Sequence, residues 1–362
     1  MKLKVLDLSR VLAGPLCSMI LGDIGADVIK VERPGSGDET RGWGPPFNAD
    51  GESAYFLSVN RNKKSIAADL SDARDRAVIH SLVAQADVVL DNFVDGSLIR
   101  LGLDPERLLA ENPSLIWCSI SGFGPESTRP GYDFVVQAEC GWMAITGESS
   151  GQPMKVGVAL ADVVAGKDAA IAILAAVVER ASGPLSRERR RIQISLADSA
   201  RASLVNVAQN VLVSGREARR WGNAHPNLVP YQLFEAADRS FVIAVGSDDQ
   251  WRACATVLGL PDLAGDPTFR TNAGRVKNRE ALVSELSART REMEAGHWVE
   301  RLASVGVPCG VVKTVAEALD GTDASPLTGV PPSVPGGIRL PPPRLNEHGD
   351  SVRALGWRAF QS

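Results

Sequence analysis

The chain has 362 residues, of which 44% are hydrophobic and 23% charged, and these proportions are ordinary for a folded globular protein. The formal net charge is −4, so no overall basic field is present to bind nucleic acid or an acidic membrane surface. The length predicts two domains, or one large domain with an insertion, and it excludes a small disulfide scaffold.

The cysteines and histidines do not form the patterns of a disulfide framework or a metal site. The five cysteines contain no CxxC pair, and the four histidines are not spaced with another histidine or cysteine as zinc or iron requires. We therefore expect a reducing compartment and no bound metal. Residues 1–10 alternate apolar and charged residues, which favours a cytoplasmic protein without a signal peptide. The longest apolar run, residues 169–178, is about half of the ~20 residues that span a bilayer.

Strands and helices alternate along the first third of the chain. Short apolar runs predict strands over residues 4–8, 27–33, 65–70, 87–93 and 114–123. Helical periodicity between them predicts helices over residues 14–25 and 72–86. This alternation implies a parallel sheet that is covered on both faces, with the chemistry in the loops that follow the strands.

The pattern changes towards the C-terminus. We first expect a helix from Asp162 to about Ser182, a strand over 189–197 and a helix over 198–213. These elements complete a large domain, residues 1–213. Residues 214–324 hold one clear strand and frequent Pro or Gly, which predicts a linker and a smaller α+β domain. Residues 325–362 begin with a proline-rich stretch, which predicts an extended arm that returns to the large domain.

Three short motifs match known signatures only in part. Residues 147–151 read GESSG, but a serine nucleophile elbow needs a helix directly afterwards, and Pro153 favours a polar loop. Gly166 and Lys167 are followed by Asp168 rather than Ser or Thr, so no P-loop is present. Residues 35–38 lack the third glycine of a dinucleotide fingerprint.

Asp162 follows an apolar stretch at the predicted start of a helix, and two interpretations of it are open. One is a helix N-cap, a common role for aspartate that is worth about 1 kcal/mol. The other is a carboxylate nucleophile that the helix N-terminus keeps ionised beside a cleft. The two roles are compatible, and spacing alone does not separate them.

Basic residues occur in several places. The cluster over residues 60–64, with Arg33 and Arg100, is either a solvated surface or a site for phosphate and adenine, which arginine can bind and stack on. The run Arg187–Arg191 flanks a strand, and we expect it to solvate a turn.

Seven segments together resemble the family III CoA-transferases, the group that includes formyl-CoA transferase and succinate:hydroxymethylglutarate CoA-transferase. The order and spacing of these segments match the family along most of the chain. The segments are residues 5–15, 21–43, 55–70, 86–93, 131–138, 155–166 and 225–234. The resemblance implies a Rossmann-like large domain with a parallel sheet, a small α+β domain, and two chains interlocked in a homodimer.

The resemblance also assigns roles to residues. It places the family's nucleophilic aspartate on Asp162, and it implies that coenzyme A or an acyl-CoA is a substrate rather than a permanently bound cofactor. The residues that match CoA contacts are Val11, Leu12, Ala13, Arg33, Ala68, Asn92, Phe93, Arg100 and Tyr132. Of these, Val11, Leu12 and Ala13 correspond to the pantetheine end, and Arg33 and Ala68 to the adenine end.

Two departures from relatives bear on the reaction. Leu12 stands where formyl-CoA transferase has a catalytic glutamine, which argues against formyl or oxalyl specificity. Tyr132 stands where the α-methylacyl-CoA racemases have a histidine, and a phenol is a poor general base at neutral pH. CoA transfer is therefore favoured, while a racemase with another base and a CoA-binding homologue without turnover remain alternatives.

The middle of the chain resembles the dicarboxylate-using enzymes of the family. We therefore expect a small carboxylic acid as the acceptor, with a second carboxylate that needs a cationic or N–H-rich pocket. Candidates for that pocket are Arg41, Trp43 and His225.

Overall fold

The computed structural model describes residues 3–361. The chain forms two compact units: the first comprises the chain up to Met143, Lys155–Arg216 and the chain from Gly321, and the second comprises Ala144–Met154 and Glu217–Asp320. The predicted boundaries at residues 213 and 324 separate domains, and a division into compact units does not test whether each domain folds independently. These boundaries therefore stay a prediction.

The first unit is built on a six-stranded parallel sheet. Its strands are β1 (Lys4–Asp7), β2 (Asp27–Glu32), β3 (Lys63–Ala67), β4 (Val88–Asp91), β5 (Ile116–Ser121) and β6 (Arg191–Ser195). Their order across the sheet is β3-β2-β1-β4-β5-β6. All neighbours are parallel, and Val5 of β1 pairs with Val28 on one side and Val88 on the other. The order reverses between β1 and β4, and loops at such a point form the ligand crevice of open α/β sheets.

Helices cover both faces of this sheet. Before residue 216 they are α1 (Ala13–Asp23), α2 (Ala54–Leu57), α3 (Ala73–Val83), α4 (Ser97–Arg100), α5 (Pro105–Glu111), α6 (Asp133–Glu139), α7 (Trp142–Ile145), α8 (Leu160–Arg180), α9 (Arg187–Arg190), α10 (Leu196–Ala202) and α11 (Val205–Ser214). A helix predicted as one element over 198–213 is two, because the chain turns at Val205, whose φ is 41°. On one face Leu21, Ile116 and Ile173 share a core, and on the other face Ile29, Ile79 and Trp117 share another.

Residues 60–63 form part of the interior. Asn60, Arg61, Asn62 and Lys63 are all buried, and β3 begins at Lys63 rather than at residue 65. Arg61 pairs with Asp23 of α1, with 2.7 Å between Nη2 and Oδ2. For residues 60–63 the interpretation as a solvated surface is therefore wrong, because these side chains are used inside the fold; the phosphate and adenine interpretation stays a prediction for Arg33 and Arg100.

The chain after residue 321 packs on the first unit. Arg61 donates to the carbonyl oxygens of Thr328 and Val330, and the Asn62 amide nitrogen donates to that of Gly337. The arm is not extended throughout, since a helix at Gly349–Leu355 precedes a 3₁₀ turn at Gly356–Phe360. Trp357 of this turn is buried in the second core.

The second unit holds a three-stranded antiparallel sheet where one strand was predicted. Its strands, in the order β7-β8-β9, are β7 (Tyr231–Glu235), β8 (Ser240–Ala244) and β9 (Cys309–Val311). The helices α12 (Asp248–Val257), α13 (Pro261–Gly265), α14 (Asn272–Lys277), α15 (Arg279–Thr290), α16 (Ala295–Ser304) and α17 (Val315–Leu319) accompany it, and the C-terminal helix Gly349–Leu355 is α18. Residues 147–151 form a loop with no helix after the serine, as predicted.

Among the helices within residues 3–361, none is both long and apolar enough to cross a bilayer.

Candidate active site

A cavity of about 380 Å³ lies at the topological switch of the parallel sheet. The loops after β1, β4 and β5 form much of its wall, and the starts of α6 and α8 complete it. It brings together residues that are far apart in sequence, among them Val11, Leu12, Ala13, Asn92, Phe93, Tyr132 and Asp162. A volume of this size is typical of a small-molecule site.

Asp162 lies in the first turn of α8, where it is the third residue of the helix. The N-cap is Ala159, and it makes no side-chain capping bond. The N-cap interpretation of Asp162 is therefore wrong, because the helix begins earlier than the sequence pattern indicates. Its side chain lines the cavity instead.

A carboxylate from another helix serves the N-terminus of α8. Asp133, the first residue of α6, accepts a hydrogen bond of 2.8 Å from the backbone N–H of Ala161. Gln137, one turn later, donates to the other oxygen of Asp133 at 2.8 Å and accepts from the Val156 N–H. These bonds fix the first turn of α8 without using the carboxylate of Asp162.

The N-terminus of α1 lies next to the carboxylate of Asp162. The backbone N–H of Ala13, the first residue of α1, lies beside Asp162 and lowers the pKa of its carboxyl. The approach is close because Gly166 has no side chain: a Cβ there would lie 2.6 Å from the Ala13 carbonyl oxygen. A Cβ at Gly14 would likewise collide with Ser9. Gly166 is therefore required for the close packing of α1 and α8, and Gly14 for the close contact of α1 with the loop before it.

These surroundings make Asp162 an unusual carboxyl group. Burial raises its pKa, the charge of Asp133 raises it further, and the N–H of Ala13 lowers it, with a result of about 7. A carboxylate with few water contacts is a stronger nucleophile than a hydrated one. At neutral pH about half of the molecules carry that carboxylate.

Tyr55 belongs to the same electrostatic environment, although sequence reasoning did not single it out. Burial, followed by the charges of Asp162 and Asp133, raises the pKa of Tyr55 to about 12. Its ring lies edge to face with Trp43, with 5.1 Å between the ring centroids. Tyr55 is therefore a neutral hydroxyl at physiological pH.

A second cavity of about 230 Å³ adjoins the first. It contains Arg33 and Ala68, and the residues Arg10 and Phe93 line both cavities. The Arg10 guanidinium lies over the Phe93 ring at 5.3 Å from its centroid. An elongated ligand can thus extend from Arg33 in one cavity to Asp162 in the other.

Two predicted CoA contacts have local partners. The Asn92 side chain accepts from the Arg10 N–H at 3.0 Å and donates to the Arg10 carbonyl at 2.7 Å, so it ties the loops after β1 and β4 together. Arg100 is exposed, donates to Ser97 Oγ at 2.9 Å, and lines neither of these two cavities.

The residues predicted for an acid pocket lie elsewhere. Arg41 makes two bonds of 2.8 Å to Glu32 and one of 2.7 Å to Glu52, and its guanidinium stacks on the Phe56 ring. Its charge is therefore offset by two carboxylates, and neither Arg41 nor Trp43 lines either cavity.

His225 belongs to the second unit. There its Nδ1 accepts from the Asn227 N–H at 3.1 Å, and its ring contacts the ring of Tyr231.

The run Arg187–Arg191 has a role that the sequence did not reveal. Arg190 is buried and donates to the carbonyl oxygens of Leu109, Asn112 and Leu115. Arg191 begins β6, donates to Ser119 Oγ at 2.9 Å and lines the first cavity. The prediction of a solvated turn is wrong for these two residues. Their position just before a strand of the parallel sheet was the available signal.

The sequence and the fold both match one known family. A sequence model described as CoA-transferase family III matches residues 2–330. The chain belongs to the family III CoA-transferases. It is an acyl-CoA:carboxylate CoA-transferase, as its named relatives indicate.

Curated relatives with high identity include transferases that act on dicarboxylic acids. Succinyl-CoA:glutarate CoA-transferase of Mus musculus is 44% identical over 317 residues, which cover 87% of this chain and 72% of the mouse protein. Succinate–glutarate CoA-transferase of Agrobacterium fabrum is 40% identical over 379 aligned positions, with 97% and 94% of the two chains covered. Acetyl-CoA:oxalate CoA-transferase of Acetobacter aceti is 40% identical and covers 87% and 81%.

Solved structures of the family share the fold over nearly the whole chain. A CaiB/BaiF family protein from Brucella suis has a TM-score of 0.85 at 42% identity, with 97% of each chain covered. A protein of Mycobacterium tuberculosis has a TM-score of 0.83 at 29% identity, with 96% of this chain and 97% of that chain covered. The predicted fold of the family, with a large parallel sheet and a smaller α+β unit, is therefore confirmed.

Proposed function

We propose that the protein transfers CoA from a dicarboxylic acyl-CoA to a small dicarboxylic acid of the succinate or glutarate type, with Asp162 as the nucleophile. The observation that carries the proposal is the Asp162 carboxyl in the cavity, next to the Ala13 N–H and with a pKa of about 7. The carboxylate form is thus both present and poorly hydrated at neutral pH.

In the first half of the reaction, an Asp162 oxygen attacks the thioester carbonyl of the donor. The C–S bond breaks, CoA leaves as a thiolate, and the acyl group remains on Asp162 as a mixed anhydride. The thiolate then attacks the carbonyl carbon of Asp162. The donor acid leaves as a free carboxylate, and Asp162 holds CoA as an aspartyl thioester.

The second half reverses these steps with the acceptor. Its carboxylate attacks the aspartyl thioester, releases the thiolate and forms a new mixed anhydride with Asp162. The thiolate attacks the acceptor's carbonyl carbon, which yields the new acyl-CoA and regenerates the Asp162 carboxylate. Atoms and charge balance without a redox step.

The two cavities support the predicted CoA contacts. We propose that adenine and its phosphates bind near Arg33 and Ala68, and that the pantetheine arm passes Phe93 and Asn92 to reach Val11–Ala13. When the thiolate attacks the carbonyl carbon of Asp162 in the second step, negative charge develops on the Asp162 carbonyl oxygen, and we propose that the Ala13 N–H stabilises that charge as an oxyanion donor.

The dicarboxylic acceptor follows from the relatives, and arginines in the cavity wall are the candidate partners of its second carboxylate. Glutarate is named in the mouse and Agrobacterium fabrum enzymes. Three arginines line the cavity of Asp162, each in an ion pair with a glutamate: Arg10 with Glu39, Arg129 with Glu139 and Arg191 with Glu106. We propose that a second carboxylate binds at this wall, because an unpaired anion in a partly buried site is costly.

Trapping of the intermediates tests the nucleophile. Incubation with succinyl-CoA and hydroxylamine should convert Asp162 to a hydroxamate, since both intermediates are activated acyl groups. Peptide mass spectrometry locates the modification, and the peptide with Asp133 serves as the internal control. An unmodified Asp162 peptide under turnover would contradict the anhydride route.

A panel of acids tests the acceptor. With succinyl-CoA as the donor, glutarate-type acids should react about tenfold faster than butyrate, a discrimination of about 1.4 kcal/mol. Equal rates with butyrate or carnitine would refute the dicarboxylate proposal and leave CoA transfer intact. Exchange of the α-proton without exchange of free acid would instead identify a racemase, and exchange of neither would identify a CoA-binding homologue without turnover.

A further inference from the structure

The loop between β1 and α1 contains a strained residue. Val11 has a φ of 71°, in the left-handed region that a β-branched side chain rarely adopts. Such a conformation is strained and persists only where the surroundings impose it. Its N–H faces the carboxylate of Asp38, with 3.2 and 3.3 Å to the two oxygens.

Asp38 is itself held rigidly in the interior. Its carboxylate accepts from Lys30 Nζ at 2.9 Å, from the Thr40 N–H at 3.0 Å and from Thr40 Oγ1 at 2.8 Å. The side chains of Lys30 and Asp38 are both 0% exposed. Burial alone would raise the pKa of Asp38, but Lys30 and Thr40 bring it below its ordinary value, so the carboxylate stays charged.

The same ion pair holds the loop at a second point. Lys30 Nζ also donates to the carbonyl oxygen of Ser9 at 2.9 Å. Ser9 and Val11 are thus fixed on either side of Arg10. A buried ion pair contributes little net stability because desolvation offsets the attraction, so its retention favours a role in specifying this conformation.

The conformation of Val11 determines where α1 begins. Leu12 is the N-cap, and Ala13, two residues after Val11, is the first helical residue. Ala13 and Asp162 line the same cavity, α1 approaches α8 so closely there that a Cβ at Gly166 would lie 2.6 Å from the Ala13 carbonyl oxygen, and the Ala13 N–H lowers the pKa of Asp162. A change at Val11 therefore turns this donor relative to the carboxylate.

We propose that Asp38, held by Lys30, is a positioning residue for CoA transfer: it keeps Val11 in the left-handed conformation and so directs the Ala13 N–H at Asp162. This inference rests on the proposed role of Asp162. Asp38 belongs to the wall of the second cavity, but its side chain is fully buried and occupied by Lys30, Thr40 and the Val11 N–H, so we infer that it acts through Val11 and Ala13.

Asp38→Asn is the first test. The amide presents a donor where Val11 and Lys30 also donate, so the loop should relax and the Ala13 bond should weaken. We expect kcat to fall about tenfold with a smaller change in KM. The rise of kcat with pH should also move to higher pH, because Asp162 loses a hydrogen bond that lowers its pKa.

Asp23→Asn is the matched control. Asp23 is also buried and paired, with Arg61 and Asn62, but it lies at the other end of α1. We expect it to lower the melting temperature to a similar extent and to leave the pH profile of kcat in place. If both variants shift the profile alike, Asp38 acts only through general stability and the inference is wrong.

Val11→Gly provides a second readout, because glycine adopts a positive φ without strain. If Asp38 acts by holding Val11, the loss of kcat caused by Asp38→Asn should shrink from about tenfold to less than about threefold in the Val11→Gly background. An undiminished loss would overturn the inference. Hydroxylamine trapping in the unmodified protein distinguishes failure of the proposed function from failure of the role of Asp38. If Asp162 is not trapped, the proposed function is wrong. If Asp162 is trapped but Val11→Gly does not reduce the effect of Asp38→Asn, only the role of Asp38 is wrong.

Discussion

At the residue scale, Asp162 combines features that a structural carboxylate lacks. It is a partly buried acid in the first turn of a helix, it faces Asp133, and its N–H partner comes from a second helix. These surroundings make the ionised form of Asp162 unfavourable, so ionisation of this group lowers the folding stability. Such a conflict between stability and reactivity is typical of catalytic groups.

Asp162→Asn should abolish transfer, because an amide is not a carboxylate nucleophile, while CoA still binds. The pKa of Asp162 is about 7 in the folded protein and 3.8 ordinarily, so this group favours folding below pH 3.8 and that contribution is lost as the pH rises through 7. Removal of the charge should therefore raise the melting temperature by a few degrees at pH 8 and hardly change it at pH 4. Calorimetry at the two pH values checks this. A variant that is less stable at pH 8 would contradict the assigned environment.

The turnover rate should follow the ionisation of the Asp162 carboxyl. We expect kcat to rise with pH through about 7, since only the carboxylate attacks. Asp133→Asn removes a neighbouring negative charge, so the pKa of Asp162 should fall and the rise should move to lower pH. Asp350→Asn, at an exposed acidic residue in the first turn of α18, is the control and should leave the profile unchanged. Identical profiles for all three proteins would exclude coupling between Asp133 and Asp162.

The two arginines predicted for the nucleotide end should differ in importance. Arg33 lines the second cavity, whereas Arg100 lines neither cavity and donates to Ser97. Arg33→Ala should raise KM for the acyl-CoA about tenfold with little change in kcat, because a contact made equally in ground state and transition state is lost. Arg100→Ala should have a smaller effect on KM. A fall in kcat at constant KM would refute the binding role of Arg33.

At the element scale, the site depends on how closely α1 and α8 approach. Both helices pack on the same face of the sheet, and small residues at their contact allow the N-terminus of α1 to reach the first turn of α8. Ala165 and Gly166 lie at this contact and are buried. The cavity geometry is therefore a consequence of helix packing as well as of the loops.

Gly166→Ala should disturb this contact. The added methyl would lie 2.6 Å from the Ala13 carbonyl oxygen, so the helices must separate, at a cost of about 1–3 kcal/mol in unfolding free energy. We expect kcat to fall as well, because Ala13 moves away from Asp162. Gly296→Ala in α16 is the control: its new methyl meets nothing within 4 Å, and it should stabilise slightly. Chemical denaturation and steady-state kinetics of both variants measure the unfolding free energy and kcat. A fully active Gly166→Ala enzyme would show that the close packing of α1 and α8 is not required for activity.

At the scale of the whole molecule, α11 lacks a partner among the described residues. None of its side chains is buried, and Val205, Leu212 and Val213 are each at least 70% exposed. Apolar side chains grouped in this way on one helix usually mark an interface. They support the predicted homodimer, which the resemblance implies to be interlocked.

Sedimentation should therefore give twice the chain mass of 38.5 kDa at micromolar concentration. Leu212→Glu should impair assembly, because a charge would replace an apolar group in the interface. Val315→Glu, at an exposed valine of the short helix α17, serves as the control and should leave the dimer intact. A monomer at all concentrations would refute the dimer.

Several features were determined by the sequence alone, because they depend on local patterns. Short runs of five to ten residues predicted every strand of the large sheet, and their alternation with helices predicted that the sheet is parallel. The short strands β7 and β9 were missed, because Pro230 and Pro308 directly precede them and they carry little periodic signal. The family resemblance indicated Asp162, and its presence in the cavity agrees with that expectation without testing its role.

Other features were decided only by the tertiary structure, because their partners come from distant segments. Lys30 and Lys63 lie inside strands as fully buried charges, and only the fold brings Asp38 and Asp7 to them. The sequence alone indicates that Arg41 is an unpaired cation, but in the fold the carboxylates of Glu32 and Glu52 offset its charge. The first turn of α8 is capped by Asp133 from another helix, which leaves the Asp162 carboxylate uncommitted to capping. Local patterns specify where chain elements form, whereas the charge state and reactivity of a side chain depend on the groups that folding places around it.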